Sequence, residues 1–364
     1  MASDEGSDTR HPKAMINVLI VEDSPVIREF LVHILGADSD IRVVGLAHNG
    51  EEAITAVQEK KPDVVTMDIH MPKLNGFDAT RRIMETNPVP IVVVSGSSTA
   101  EEIATTFHAL ESGALAVVRR PAGIAHPDHE KTAQELVQTV KLMSEVKVVR
   151  RWRSRLKPAP VEQGSLKAPK GAEIRLVAIG ASTGGPMALQ TILSQLPRSF
   201  PVPIVIVQHM AEGFVHGFAE WLGQTSRLPV QVAAHSETLL PGQAYVAPDG
   251  YHMNVTRDLK VVLRKDDPES GLRPSVASLF RSVAESFGPG VIGILLTGMG
   301  TDGAAELKLM KDAGAVTFAQ DKETSIVHGM PGEAIRLGAA TNILGPERIA
   351  PALVTLLQRG TRNT

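Results

Sequence analysis

Three residues far apart in the chain have the types that an acyl-transfer site needs: Ser182 in G-A-S-T-G (180–184), His209 at the end of PIVIVQH, and Asp302 in LLTGMGTDGA. A serine hydroxyl is a weak nucleophile until a base takes its proton, and a histidine base works best when a carboxylate holds its tautomer and stabilises the imidazolium. The loop that carries Asp302 also offers main-chain N–H groups around Met299, between Gly298 and Gly300, of the kind an oxyanion hole requires. G-x-S-x-G is the spacing of a nucleophile elbow, yet a small-residue turn that opens a helix can equally cradle a phosphate. Over those residues alone both readings stand. A second set is acidic. Glu22, Asp23 and Asp68, brought together, would need a cation, and a hard ion such as Mg²⁺ suits carboxylates shared with water and phosphate. Taken singly, each acid is as well explained as a helix cap.

These groups meet only if the chain gathers strand ends. From Ile16, five short β-branched runs, INVLIV (16–21), IRVVGL (41–46), DVVTMD (63–68), PIVVVS (90–95) and LAVV (115–118), alternate with helical stretches near 25–35 and from Glu51, Gly76 and Glu101. That alternation predicts a parallel sheet with helices on both faces. In a flavodoxin-like strand order, 2-1-3-4-5, the first and third strands are neighbours, so the three acids converge at the sheet's C-terminal edge. In the first helix Val26, Ile27, Phe30, Leu31, Ile34 and Leu35 form one apolar stripe, with Ser24 as N-cap and Pro25 at the first position.

The second half alternates again. Strands are predicted at 174–179, 203–208, near 245, at 291–296 and at 315–319, and helices from Gly185, near 214–223, from Pro274 and from Gly303, with two more to follow. A hairpin is predicted around 252–264, so this half reads as a doubly wound, mostly parallel α/β sheet with a hairpin insertion. Ser182, His209 and Asp302 each follow a predicted strand, where such sheets place their sites. The other eleven histidines lack such a position; His126 and His129 sit in a polar turn.

Composition bounds the rest. A chain of 364 residues exceeds the usual single core, so two domains are expected. Lys and Arg number 37 against 40 Asp and Glu, which leaves no global bias toward nucleic acid or membrane. The absence of cysteine excludes disulfides, thiolate nucleophiles and Cys-ligated zinc. Apolar runs such as VPIVIV and VIGILL are too short to cross a bilayer, and MASDEGSDTRHPKA reads as a disordered tail and not a signal peptide, so a cytoplasmic protein is expected. The Pro-, Gly- and Lys-bearing stretch 154–173 reads as a linker, preceded by a basic run, Lys147, Arg150, Arg151, Arg153 and Arg155, that reads as a solvated face. The expected limits are a tail at 1–14, a first domain at 15–135, a helix and linker at 136–173, and a second domain at 174–360.

VEDSP (21–25), MDIHMPKLNG (67–76) and VVVSG (92–96) resemble the response-regulator receiver domain. The resemblance implies that Asp68 accepts a phosphoryl group from a histidine kinase, that Glu22, Asp23 and Asp68 hold Mg²⁺, and that Ser95 senses the phosphate. Two positions depart from that family. Arg120 stands where receivers carry a lysine, and a planar guanidinium is not a compact point donor; Val117 stands where they commonly carry a switching aromatic.

IGASTGGP (179–186), VIVQHM (205–210), RPSV (273–276), LLTGMGTDGA (295–304) and HGMPGEA (328–334) resemble the catalytic domain of the chemotaxis protein-glutamate methylesterases. The resemblance implies Ser182 as nucleophile, His209 as base, Asp302 as the acid that orients it and the Met299 N–H as an oxyanion donor. It also implies hydrolysis of glutamate γ-methyl esters on chemoreceptors with no cofactor for that step, glutamine deamidation in some members, a chemotaxis-type kinase as phosphodonor, and a monomer. In that family the unphosphorylated receiver restrains the esterase, and the linker would allow its release. Two other readings compete: a nucleotide-binding protein in which GASTGG holds a phosphate, disfavoured by the missing G-x-G-x-x-G spacing, and a DNA-binding response regulator, disfavoured by so large an α/β output domain.

Overall fold

The computed structural model describes residues 15–97, 99–148 and 173–360. The expected tail at 1–14 lies outside the described residues, as do residues 154–172 of the expected linker and the arginines of the basic run.

The first α/β body runs β1 (Ile16–Val21), α1 (Pro25–Gly36), β2 (Ile41–Ala47), α2 (Gly50–Lys60), β3 (Val64–Met67), α3 (Gly76–Thr86), β4 (Ile91–Ser95), α4 (Ala100–Glu111), β5 (Ala116–Arg119) and α5 (His129–Ser144). Its five strands form one parallel sheet in the order β2-β1-β3-β4-β5. β3 and β4 are buried throughout, as expected of strands covered by helices on both faces. Asn49 caps α2 by accepting the Glu51 and Glu52 N–H groups, and Asn75 caps α3 by accepting that of Asp78. The start of α1 differs from expectation. Pro25 opens the helix, but the Ser24 hydroxyl caps nothing. The apolar stripe is narrower too: Leu31, Ile34 and Leu35 are buried, whereas Val26, in the first turn, is 77% exposed.

The second body runs β6 (Leu176–Ala181), α6 (Gly185–Gln195), β7 (Ile204–Gln208), α7 (Val215–Thr225), β8 (Val230–Val232), β9 (Ala244–Val246), β10 (His252–Val255), β11 (Val261–Arg264), α8 (Val276–Phe287), β12 (Val291–Leu295), α9 (Ala304–Asp312), β13 (Val316–Gln320), α10 (Met330–Arg336), β14 (Asn342–Leu344) and α11 (Pro346–Gly360). Seven strands form a parallel sheet in the order β14-β13-β12-β6-β7-β9-β8, and β10 with β11 makes the separate antiparallel hairpin. β6, β7, β12 and β13 are buried along their whole length. Each fully buried Val, Leu or Ile contributes about 1.5–3 kcal/mol, so these four strands anchor the sheet. Strand order reverses at β6: the chain passes to β7 on one side and later to β12 on the other. The loops that leave these three strands therefore share one crevice.

Candidate active site

Ser182 follows β6, His209 follows β7, and Asp302 lies in the loop after β12, so three adjacent strands deliver the three residues. The ladder sets their heights. His209 N–H donates to Ala181 O at 2.9 Å, and Ser182 N–H donates to Thr297 O at 3.0 Å. Asp302 Oδ2 lies 2.9 Å from His209 Nε2, with both side chains nearly excluded from solvent. This is an ion-pair distance, but the Nε2–H direction misses the oxygen, so no aligned hydrogen bond forms. Ring nitrogens at catalytic sites are often poorly aligned until substrate binds. Nε2 is therefore the ring nitrogen that faces the acid. Among the described residues the Ser182 hydroxyl makes no hydrogen bond.

Asp302 has further partners. Its Oδ2 accepts the Val276 N–H at 2.7 Å and its Oδ1 the Ala277 N–H at 3.0 Å. Val276 and Ala277 open α8, so the carboxylate sits at the positive end of that helix. Burial pushes the Asp302 carboxyl up, but His209 and the two N–H groups together outweigh it and hold the group below its ordinary value. Val276 has a second effect. A Cβ on Gly180 or on Gly303 would lie 2.3 Å from its Cγ1, which is why neither position can carry a side chain as the site stands.

The turn after β6 bends at Gly184, whose φ is +80°, and not at Ser182, which avoids the left-handed region. The nucleophile-elbow spacing is therefore present while its left-handed backbone lies two residues later. Gly298 lets the Met299 loop approach, since a Cβ there would sit 2.6 Å from Ser182 Cβ. Gly298 O accepts the Gly329 and Met330 N–H groups at 3.2 and 2.9 Å, which fixes the peptide plane it shares with Met299 N. In a trans peptide the N–H points opposite to the carbonyl, so the Met299 N–H is aimed away from those donors. It donates to no described residue.

Several contributors carry no sequence signal of their own. The Thr297 hydroxyl lies 2.9 Å from Thr183 O, and its N–H donates to Gln320 Oε1 at 2.8 Å, tying the β12 and β13 ends to the serine turn. Gln208 joins the Ser182 and His209 carbonyls. His328, which follows no strand, forms a parallel bridge with Gly298.

In the first body, ligand atoms of Glu22, Asp23 and Asp68 lie within 4.8 Å of one another. Burial first, and then the Asp68 charge, push the Glu22 carboxyl up to about 7, against the pull of the Ser24 N–H and Arg120. Burial likewise raises Asp68, although the Ile69 and His70 N–H groups lower it. Crowded carboxylates with no nitrogen or sulfur among them fit a hard divalent cation. Ser95 is buried, its hydroxyl 2.8 Å from that of Ser97 and 3.2 Å from that of Thr106 in α4.

The response regulator receiver domain family matches residues 18–126, and the CheB methylesterase family matches residues 177–353. A protein-glutamate methylesterase/protein-glutamine glutaminase of Nitrosospira multiformis is 59% identical over 350 residues, covering 95% of this chain and 98% of that protein. One from Geobacter metallireducens is 57% identical, covering 94% and 99%. The crystal structure of the Thermotoga maritima CheB methylesterase catalytic domain is 39% identical, covering 51% of this chain and 100% of that one, with a TM-score of 0.49. No described helix is long and apolar enough to cross a membrane. With that identity over nearly its whole length, the chain belongs to the CheB family of receiver-bearing protein-glutamate methylesterases.

Proposed function

We propose that the protein hydrolyses glutamate γ-methyl esters on chemoreceptors, with Ser182 as nucleophile, His209 as base and Asp302 as the acid that orients the base. The single observation that carries this reading is the His209 Nε2 to Asp302 Oδ2 approach of 2.9 Å at the strand ends flanking Ser182. Ser182 Oγ attacks the ester carbonyl while His209 takes its proton. The carbonyl oxygen gains a charge, and the Met299 N–H, which donates to no described residue, would receive it; each such donor is worth about 10²–10³-fold in rate. The proton returns from His209 to the departing methoxide, which leaves as methanol. Water, deprotonated by His209, then cleaves the acyl-enzyme to glutamate and free serine. The same steps on a glutamine side chain release ammonia, which accounts for the deamidase activity in the relatives' names.

The domain limits read from composition, 15–135 and 174–360, are retained as part of this proposal. In the first domain Asp68 would accept a phosphoryl group from a chemotaxis-type histidine kinase, with Ser95 and Arg120 meeting the phosphate. Glu22, Asp23 and Asp68 would hold Mg²⁺, which when bound supplies positive charge for the phosphate oxygens.

The test is methanol release from methylated receptor by wild type and Ser182→Ala. Loss of a nucleophilic serine costs on the order of 10⁶-fold. Release that survives in the variant would remove Ser182 from its role.

A further inference from the structure

Gln208 ends β7, a strand whose preceding residues, Ile204 to Val207, are apolar and buried. It is itself only 5% exposed. Its Nε2 donates to Ser182 O at 2.8 Å and to His209 O at 2.8 Å, so both amide hydrogens are used, one on each of the two residues that must exchange a proton. The Ser182 carbonyl also receives the Gly185 N–H at 2.8 Å, which links the clamp to the first turn of α6.

The bonding is one-sided. Gln208 Oε1 is buried with no partner among the described residues, and it lies against Gly185, where a Cβ would come within 2.1 Å of it. Turning the amide over would set its oxygen against two carbonyls, so those acceptors fix its orientation. An amide present only to satisfy its own polarity would pair its oxygen as well. Here the donors are matched to the Ser182 and His209 carbonyls at the expense of the acceptor. Without this clamp, the strand bond from His209 N–H to Ala181 O would tether the base only to the residue before the nucleophile.

We propose that Gln208 is a positioning residue whose carboxamide clamps the Ser182 and His209 carbonyls and so sets the approach of the serine hydroxyl to the imidazole. The inference rests on the reading of Ser182 and His209 as nucleophile and base. A displacement of about 1 Å at such a pair costs up to about 10²-fold in rate.

The full-length protein with methylated receptor tests it in two variants of nearly unchanged size. Gln208→Met removes both donors; Gln208→Glu replaces the amide nitrogen by oxygen. In each, kcat for methanol release is expected to fall about 10- to 100-fold with KM unchanged, and covalent labelling of Ser182 by a fluorophosphonate is expected to slow by the same factor. The glutamate variant regains one donor when its carboxyl is protonated. Its kcat relative to wild type should therefore recover as the pH is lowered, while the ratio for the methionine variant stays flat. Wild-type kcat and labelling in a folded variant overturn the inference, as does a change confined to KM. If neither variant folds, Gln208 is structural and the inference is overturned. Ser182→Ala runs alongside: activity surviving there removes the triad and the clamp together. Loss there with a wild-type rate in Gln208→Met removes the clamp alone.

Discussion

Asp302 holds three groups with two oxygens: the Val276 N–H and His209 at Oδ2, and the Ala277 N–H at Oδ1. Asn in its place keeps one acceptor and turns an NH₂ toward either a helix N–H or the imidazole. Both consequences can be measured. Loss of the orienting carboxylate is expected to lower kcat by about 10⁴-fold, as in triads of this type. Hydrogen bonds to a charged group contribute about 1.5–3 kcal/mol, so Asp302→Asn is also expected to lower stability at neutral pH by about that amount. The pH dependence has a definite sign. The folded-state pKa of Asp302 is depressed, so its contribution is complete above the ordinary carboxylate range and disappears as the pH falls through the lower folded value. Urea unfolding of the two proteins should therefore differ most near pH 7 and converge in acid; a gap that widens in acid contradicts the assignment.

At the scale of elements, the site depends on how closely α8 approaches the ends of β6 and α9. Val276 fills the space that side chains on Gly180 and Gly303 would need. Gly180→Ala puts a methyl 2.3 Å from Val276 Cγ1, and overpacking of this kind typically costs about 1–3 kcal/mol. Because Val276 N–H holds Asp302, kcat is expected to fall as well. Adding Val276→Ala opens the space, so the double variant should recover part of both losses, with a coupling of about 0.5–3 kcal/mol; strictly additive losses would show that the two residues do not meet. The same elements show what sequence could reveal. β6, β7, β12 and β13 are five- or six-residue buried runs, Ser182 and His209 directly follow two of them and Asp302 lies in the loop after a third, so the strands and these placements were readable from pattern. β8 and β14 are three-residue strands at the two edges of the sheet, too short to carry a period, and neither was expected. The Val276 and Ala277 N–H groups escaped because backbone donors have no residue type. Gln208 and Thr297 escaped because their roles come from strand register, which appears only when β7, β6 and β12 lie side by side.

At the scale of the whole molecule, control of the esterase by the receiver's chemistry passes through two departures from other receivers, Arg120 and Val117. Arg120 stabilises the charged form of Glu22, so the positive charge that receivers place near their acids is retained. What changes is its shape, a broad planar fork in place of a point charge. Retained charge favours the proposed phosphorylation of Asp68; altered shape bears on what a phosphate there would move. Binding of Mg²⁺ to the acid cluster is expected to raise Tm, since a ligand at a hundred times its Kd adds about 2.7 kcal/mol, and Glu22→Gln should blunt the effect. With Mg²⁺ and acetyl phosphate, methanol release is expected to rise several-fold in wild type and to stay at its basal rate in Asp68→Asn. Equal rates with and without phosphodonor, in protein whose Asp68 is shown by mass to be phosphorylated, would uncouple the receiver from the esterase. Arg120→Lys then separates the causes: a response gained on restoring the lysine assigns the break to the guanidinium, and none assigns it downstream, where Val117 replaces the aromatic.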